Sequence, residues 1–252
     1  MKKIVYILVF LISTVTLAQN TTVFEQANAL YNEGDYTQAI EKYKSILDTE
    51  EHSAALYFNI ANAHYKLNHI APSIYYYEKA LLLKPNDKEI KNNIAYARNM
   101  TIDAIDTVPE VGFTRLINNT TNTMSFDNWA KLSVSLMLLF VLLFLLYYFS
   151  HSTTKKRFAF ITSLSSLALS LVAVLFAFHK YELVENDQPA IVFAQEAQIK
   201  SEPNLRSTEA FKLHEGTKVQ VLDTINNWKE IKLSDGKTGW VISDDIKMLK
   251  TF

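Results

Sequence analysis

The sequence contains no cysteine. Disulfides, thiolate metal sites, iron–sulfur clusters and cysteine nucleophiles are therefore excluded. Glycine is scarce as well: there are five, and Gly216, Gly236 and Gly239 lie close together near the C-terminus. No phosphate-binding loop or dinucleotide fingerprint can be written with them. Neither sign of charge dominates, with 25 basic and 26 acidic side chains and a formal net charge of -1. With no basic excess to release counterions from phosphates, nucleic acid is not an expected partner. Among the six histidines, His64 and His69 form the one close pair. Read on a single helix, their spacing puts them on different sides, and no acidic or cysteine partner completes a metal set. No serine or aspartate stands in a nucleophile-elbow context. The expectation is a non-enzymatic chain without metal or cofactor.

What the chain does have is apolar runs. Lys2 and Lys3 precede an almost continuous apolar stretch from Ile4 to Val15, and Thr16-Leu17-Ala18 follows with small residues at the positions a signal peptidase reads. Residues 1–18 are expected to be an export signal, cleaved or else retained as an anchor. Two longer stretches, Leu132 to Phe149 and Phe158 to Phe178, carry no charge. At the helical rise they reach about 27 and 32 Å, enough for a hydrocarbon core of about 30 Å. They predict transmembrane helices at 132–149 and 158–178; the alternative is a buried hairpin in a soluble domain. The connector 150–157 ends in Lys155-Lys156-Arg157, and Trp129 and Tyr181 stand at the opposite ends as interface aromatics. By the positive-inside rule the connector is cytoplasmic and both flanks are outside.

The N-terminal flank repeats itself after 34 residues. Phe24, Ala27, Asn28, Ala29 and Tyr31 meet Phe58, Ala61, Asn62, Ala63 and Tyr65, while Ile40, Tyr43 and Leu47 meet Ile74, Tyr77 and Leu81. A partial third copy brings Asn93-Ile94-Ala95 under Asn59-Ile60-Ala61. This period and these residues resemble the tetratricopeptide repeat, a pair of antiparallel helices, over residues 20–104. Asn68 stands where a turn glycine is usual, Ser73 where alanine is, and Glu51 where proline is. The resemblance implies a concave surface lined by the first helix of each pair: Phe24, Asn28, Tyr31, Phe58, Asn59, Asn62, Tyr65, Lys66 and Tyr96. These residues suit a partner segment, or the aromatics pack between repeats. Asn28 and Asn62 are expected to point away from the helix seam, so that replacing them leaves folding intact. Asn28 and Asn59 resemble asparagines of the chaperone-type carboxylate clamp, but Phe24, Glu89 and Asn93 replace its cations, so a C-terminal carboxylate is not the expected ligand.

After Pro189 short alternating runs take over, broken by turns. The order Glu215-Gly216-Thr217, Val219-Gln220-Val221, Trp228, Asp235-Gly236 and Gly239-Trp240-Val241 resembles the bacterial SH3 (SH3b) family over residues 188–249, which implies a small all-β barrel. Trp228 and Trp240 are either a binding face or core residues.

The expected fold class is thus multidomain: an all-α repeat array, a linker at 105–130, a two-helix transmembrane hairpin and a small β-barrel. In this order the parts resemble the BatE-type proteins of bacterial aerotolerance operons. That resemblance implies an envelope complex at the bacterial inner membrane, with both terminal domains periplasmic. The implied partners are a MoxR-type ATPase and von Willebrand A-domain membrane proteins. A scaffold binding such proteins is the first expectation; the alternative is a cell-wall sensor whose SH3b barrel binds peptidoglycan. A membrane enzyme is disfavoured by the missing catalytic groups.

Overall fold

The computed structural model describes residues 20–105 and 112–250. The expected export signal, residues 1–18, lies outside the described residues, as does the linker segment 106–111. Two compact units are present, one joining 20–105 to 188–250 and the other covering 112–187.

In the first unit, five helices alternate direction: α1 over 20–33, α2 Tyr36–Leu47, α3 Ala54–Lys66, α4 Ile70–Leu83 and α5 Lys88–Arg98. Each boundary has a local cause. Gly34 turns α1 into α2 at φ 87°, and Asn68, at the matching position, turns α3 into α4 at φ 61°. Asparagine is among the few side chains that tolerate this left-handed region, so the expected glycine is dispensable there. Asp35, Ser53 and Asp87 cap α2, α3 and α5 by accepting backbone N–H groups. Pro85 follows directly on the last residues of α4, where it cannot continue the helix. Alanines 27, 39, 61, 63, 71, 80 and 97 are buried, which lets the helices approach closely around Tyr43, Tyr57 and Tyr77. Ser73, unusual for alanine, keeps its hydroxyl satisfied by donating to the Ala61 carbonyl at 3.2 Å.

Seven antiparallel strands form the second half of this unit: β1 Pro189–Val192, β2 Glu196–Lys200, β3 Glu209–His214, β4 Lys218–Ile225, β5 Trp228–Lys232, β6 Thr238–Ile242 and β7 Ile246–Met248. Their order in the sheet is β3-β2-β6-β5-β4-β1-β7. One face encloses a core of Val192, Ile199, Val219, Ile231 and Val241 among others. β1 is buried along its whole length, and the pleat explains why. Ala190 and Val192 enter the β-core, while Ile191, pointing the other way, joins Leu249 in the helical core with Tyr57, Ile74 and Tyr77. A continuous apolar run is the sequence mark of such a doubly covered strand.

Polar contacts tie the two halves. The buried Glu78 carboxylate pairs with Arg98 at 2.6 Å and with Lys218 at 2.8 Å. Asp103 accepts from the His214 amide and the Thr217 hydroxyl, both at 2.6 Å, and lies 2.8 Å from His214 Nδ1. Burial alone would raise the Asp103 pKa, but these bonds outweigh it and hold the carboxyl below its ordinary value. Gly216, at φ 86°, brings the β3–β4 turn so close that a Cβ would lie 2.9 Å from side-chain atoms of Ile74 and Thr101.

The second unit holds α6 Gly112–Thr121, α7 Phe126–Phe149 and α8 Thr153–Glu185. Both α7 and α8 are long and apolar enough to cross a membrane. They run beyond the uncharged stretches at their outer ends, and the connection between them shortens to 150–152. Lys155, Lys156 and Arg157 therefore lie in the first turns of α8, not in an extended loop. Small residues meet at the seam: the Ser170 hydroxyl donates to the Ser133 carbonyl at 2.9 Å, and the Ser166 hydroxyl donates to the Leu136 carbonyl at 2.7 Å.

Candidate functional site

The first helices of the repeats carry a hydrogen-bond lattice that itself repeats. Asn28 Oδ1 accepts from the Tyr43 hydroxyl at 2.5 Å and from Asn59 Nδ2 at 2.9 Å. One repeat later Asn62 Oδ1 accepts from the Tyr77 hydroxyl at 2.5 Å and from Asn93 Nδ2 at 3.1 Å. Behind each tyrosine lies the matching phenylalanine, with ring centroids 5.6 Å apart for Phe24–Tyr43 and 5.9 Å for Phe58–Tyr77. Burial pushes the Tyr43 pKa up to about 12, the Asn59 amide working against the shift. Burial raises Tyr77 as well. Both hydroxyls therefore stay protonated as donors.

This lattice floors two adjoining cavities. One, of about 370 Å³, is lined by Tyr31, Asn62, Tyr65, Lys66, Tyr77, Glu89, Asn93 and Tyr96. The other, of about 330 Å³, is lined by Asn28, Tyr31, Asn32, Tyr43 and Asn59. Tyr31 belongs to both. Among the described residues the amide nitrogens of Asn28 and Asn62 have no partner, so each pair of N–H donors remains available. One cation and one carboxylate, Lys66 and Glu89, border the larger cavity, which leaves the surface near neutral.

Seven of the nine expected groove residues line these cavities: Asn28, Tyr31, Asn59, Asn62, Tyr65, Lys66 and Tyr96. Phe24 and Phe58 do not, because each is half-buried behind its tyrosine. The asparagines also differ from expectation. Their carbonyl oxygens hold Tyr43 and Tyr77, so Asn28 and Asn62 are part of the helix packing rather than free of it. Asn32 and the two tyrosine hydroxyls were not anticipated as lining. The recurrence of Asn59 at Asn93 was a legible signal for the lattice; nothing in the spacing marked Asn32.

In the β-domain, Trp228 pairs with Ile242, and Trp240 with Glu230 and Lys200. By the alternation along β5 and β6, both tryptophans project from the face opposite Ile231 and Val241, and both are half-buried. They stand outside the β-core. The Asp-Gly turn before β6 is closed by Asp235 Oδ1, which accepts from the Lys237 amide at 3.0 Å.

His64 and His69 do meet, contrary to the single-helix reading. α3 ends at Lys66, and the left-handed Asn68 folds His69 back, so the two Nδ1 atoms lie 3.1 Å apart. Burial, with Lys44 and His69 adding to it, pushes the His64 pKa down to about 3. A single proton between the rings serves the contact; two would set donor against donor. Among the described residues no group of three or more histidine, cysteine or acidic side chains is placed to hold a metal.

Comparison with protein families agrees with this architecture. The tetratricopeptide repeat model matches residues 30–95, and the bacterial SH3 domain model matches residues 196–247. No curated protein matches the chain. The chain thus carries two modules of kinds that typically bind proteins or cell-wall material rather than catalyse reactions.

Proposed function

We propose that the protein is a membrane-anchored scaffold that holds an extended segment of a partner protein in the repeat groove. The observation that supports this reading is the pair of amide donors, Asn28 and Asn62, unpartnered among the described residues and set one repeat apart at cavities lined by tyrosines. Donors at repeated positions fit backbone carbonyls of a neutral peptide, and tyrosine supplies apolar contact with little entropy to lose. The partners would be components of an envelope complex of the Bat aerotolerance type, von Willebrand A-domain membrane proteins and a MoxR-type ATPase. The modules would stand on the periplasmic side of the inner membrane, anchored by α7 and α8. Three features support that topology. Most side chains of α7 and α8 are exposed despite being apolar. The array and the β-domain share one core, so both must lie on one side of any membrane, and two spans return the chain to the side it left. The cations of α8 sit at a helix N-terminus, where aligned peptide dipoles disfavour them, so helix stability does not account for them.

The groove is tested by the double variant Asn28→Asp, Asn62→Asp. Aspartate keeps the oxygen that Tyr43 and Tyr77 need and deletes the donors, whereas alanine would also damage the packing. Loss of one hydrogen bond of this kind costs about 0.5 to 1.5 kcal/mol, so co-purification of partners from detergent-solubilised membranes should fall roughly tenfold for the pair. Full recovery with unchanged circular dichroism would overturn the groove assignment. Periplasmic reporters fused after Asp106 or Phe252 should be active, and one fused near Lys155 silent.

A second reading rests on Trp228 and Trp240, which share an outward face of the sheet. If this face binds peptidoglycan, Trp240→Ala should abolish pelleting with insoluble cell wall while leaving partner recovery intact.

A further inference from the structure

We infer that α6 is a membrane-surface helix whose Phe113 and Leu116 enter the boundary between lipid headgroups and acyl chains. The inference rests on the reading of α7 and α8 as bilayer spans.

At 100° per residue, Phe113, Leu116 and Thr120 share one face of α6, Asn118 and Thr121 a second, and Arg115 and Asn119 a third. The second face is occupied. Asn118 Oδ1 lies 3.2 Å from His179 Nε2 of α8, and the Thr121 carbonyl accepts from Trp129 Nε1 at 3.0 Å. Just beyond α6, Asn122 Oδ1 accepts from Lys180 Nζ at 2.7 Å. The third face is polar and exposed. On the first face the two apolar side chains are uncovered, Phe113 74% and Leu116 62% exposed, and the half-buried Thr120 turns its hydroxyl to the Leu116 carbonyl at 2.9 Å.

The tethers fix the height of the helix along α8. His179 and Lys180 directly follow the uncharged stretch that ends at Phe178. At the same level Tyr181 meets Phe126 edge-on, with ring centroids 5.8 Å apart, and Trp129 packs on Phe176 at 5.0 Å. Tyrosine and tryptophan with a wet end and an apolar end belong at the membrane–water boundary. Phe113 and Leu116 are therefore held at the height where the apolar surface of the hairpin stops. A helix in this position with one apolar face lies in the plane of the interface. Water would be an unfavourable neighbour for Phe113 and Leu116, and the lipid around the hairpin is present at that height without any further partner.

The absence of cysteine makes a direct test possible. Leu116→Cys, Asn119→Cys, Leu142→Cys and Ser234→Cys versions of the full chain carry one environment-sensitive fluorophore each. They are reconstituted in vesicles of phosphatidylcholine and phosphatidylglycerol. Brominated acyl chains should quench the label at 116 severalfold more than at 119, and iodide in the buffer should do the reverse. The label at 142 reports the span itself and should respond to brominated lipid alone; that at 234, on the β-domain, to iodide alone. Iodide quenching at 116 equal to that at 119, with 142 in lipid, overturns the surface helix and leaves the spans standing. Shielding of 116 from both quenchers overturns it too, because protein then covers the face. A label at 142 that brominated lipid does not reach refutes the spans, and the surface helix with them.

Discussion

In the repeat array, antiparallel helices turn Tyr43, Tyr57, Tyr77 and Ile74 inward and leave Glu41, Lys42 and Ser45 outside. In the hairpin, antiparallel helices turn Ser133, Ser163, Ser166, Ser170 and Ala173 inward and leave Leu138, Leu142, Leu146 and Leu175 outside. The same secondary structure is used with opposite surfaces. In water, burying large apolar side chains is what drives helices together. In lipid that drive is absent, and close approach with interhelical hydrogen bonds takes its place. That contrast is what the proposed placement of α7 and α8 in a bilayer requires.

The comparison breaks most readily at a buried tyrosine. Tyr77→Ala removes a fully buried ring and leaves Asn62 Oδ1 only the Asn93 donor, which should cost about 3 to 5 kcal/mol, the range for truncating a buried aromatic. Tyr77 and the β1 residue Ile191 belong to one core, so the loss should appear in both halves of the unit at once. Denaturant titration of the full chain in detergent checks this, with helix followed by circular dichroism and the β-domain by amide exchange. Separate transitions would show that the halves do not share a core.

A charge on the outer face tests that placement. Leu142→Arg should cost about 2.5 to 3.5 kcal/mol of insertion free energy. Ser45→Arg on the outside of the array should stay within about 0.5 kcal/mol. Alkaline extraction of membranes measures the first and thermal unfolding the second. Equal tolerance at both positions would remove the reason for calling the hairpin lipid-facing.

Acid should weaken the array before the hairpin. His64 is neutral when folded, with its pKa near 3, whereas the unfolded chain takes up the proton near pH 6.5. The unfolded state therefore binds more protons between these values, and stability is full above pH 6.5 and falls as pH drops toward 3. The slope is at most about 1.4 kcal/mol per pH unit. Asp103, with its pKa lowered on folding, adds a further loss below its ordinary carboxylate value. His64→Gln should flatten the upper part of the profile and leave the lower part; a slope unchanged in that variant would acquit the histidine.

The smallest effect belongs to the hairpin seam. Ser166→Ala removes a bond to the Leu136 carbonyl, and membrane-protein hydrogen bonds average about 0.6 kcal/mol. Forced dissociation of the helices in a sulfate-detergent titration should register it. A much larger loss would mean that serine, rather than close packing, holds the pair.

Period and polarity were legible in the chain because they are local. The repeated Ala27/Ala61 and Tyr43/Tyr77 positions mark helix pairs, since a period of 34 residues is the length of one such unit. Uncharged runs mark helices that can cross a membrane, and the alternation after Pro189 with the Asp235-Gly236 turn marks a β-domain. Residue types also pointed to a groove of amides and aromatics. What these patterns do not contain is which atom of Asn28 or Asn62 is used up inside the array, because that depends on where Tyr43 and Tyr77 deliver their hydroxyls. They also could not join Asp103 to His214 across 111 positions of sequence, or turn His69 back onto His64, where one left-handed residue outweighs helical periodicity. Composition and spacing thus determined the kinds of element and which of them are apolar enough to cross a membrane, since the polarity of a segment is an additive property of its residues. Tertiary structure alone decided that Ile191 and Leu249 close the helical core and that Tyr43 and Tyr77 take up the carbonyl oxygens of Asn28 and Asn62, since these are contacts between elements whose positions no local preference encodes.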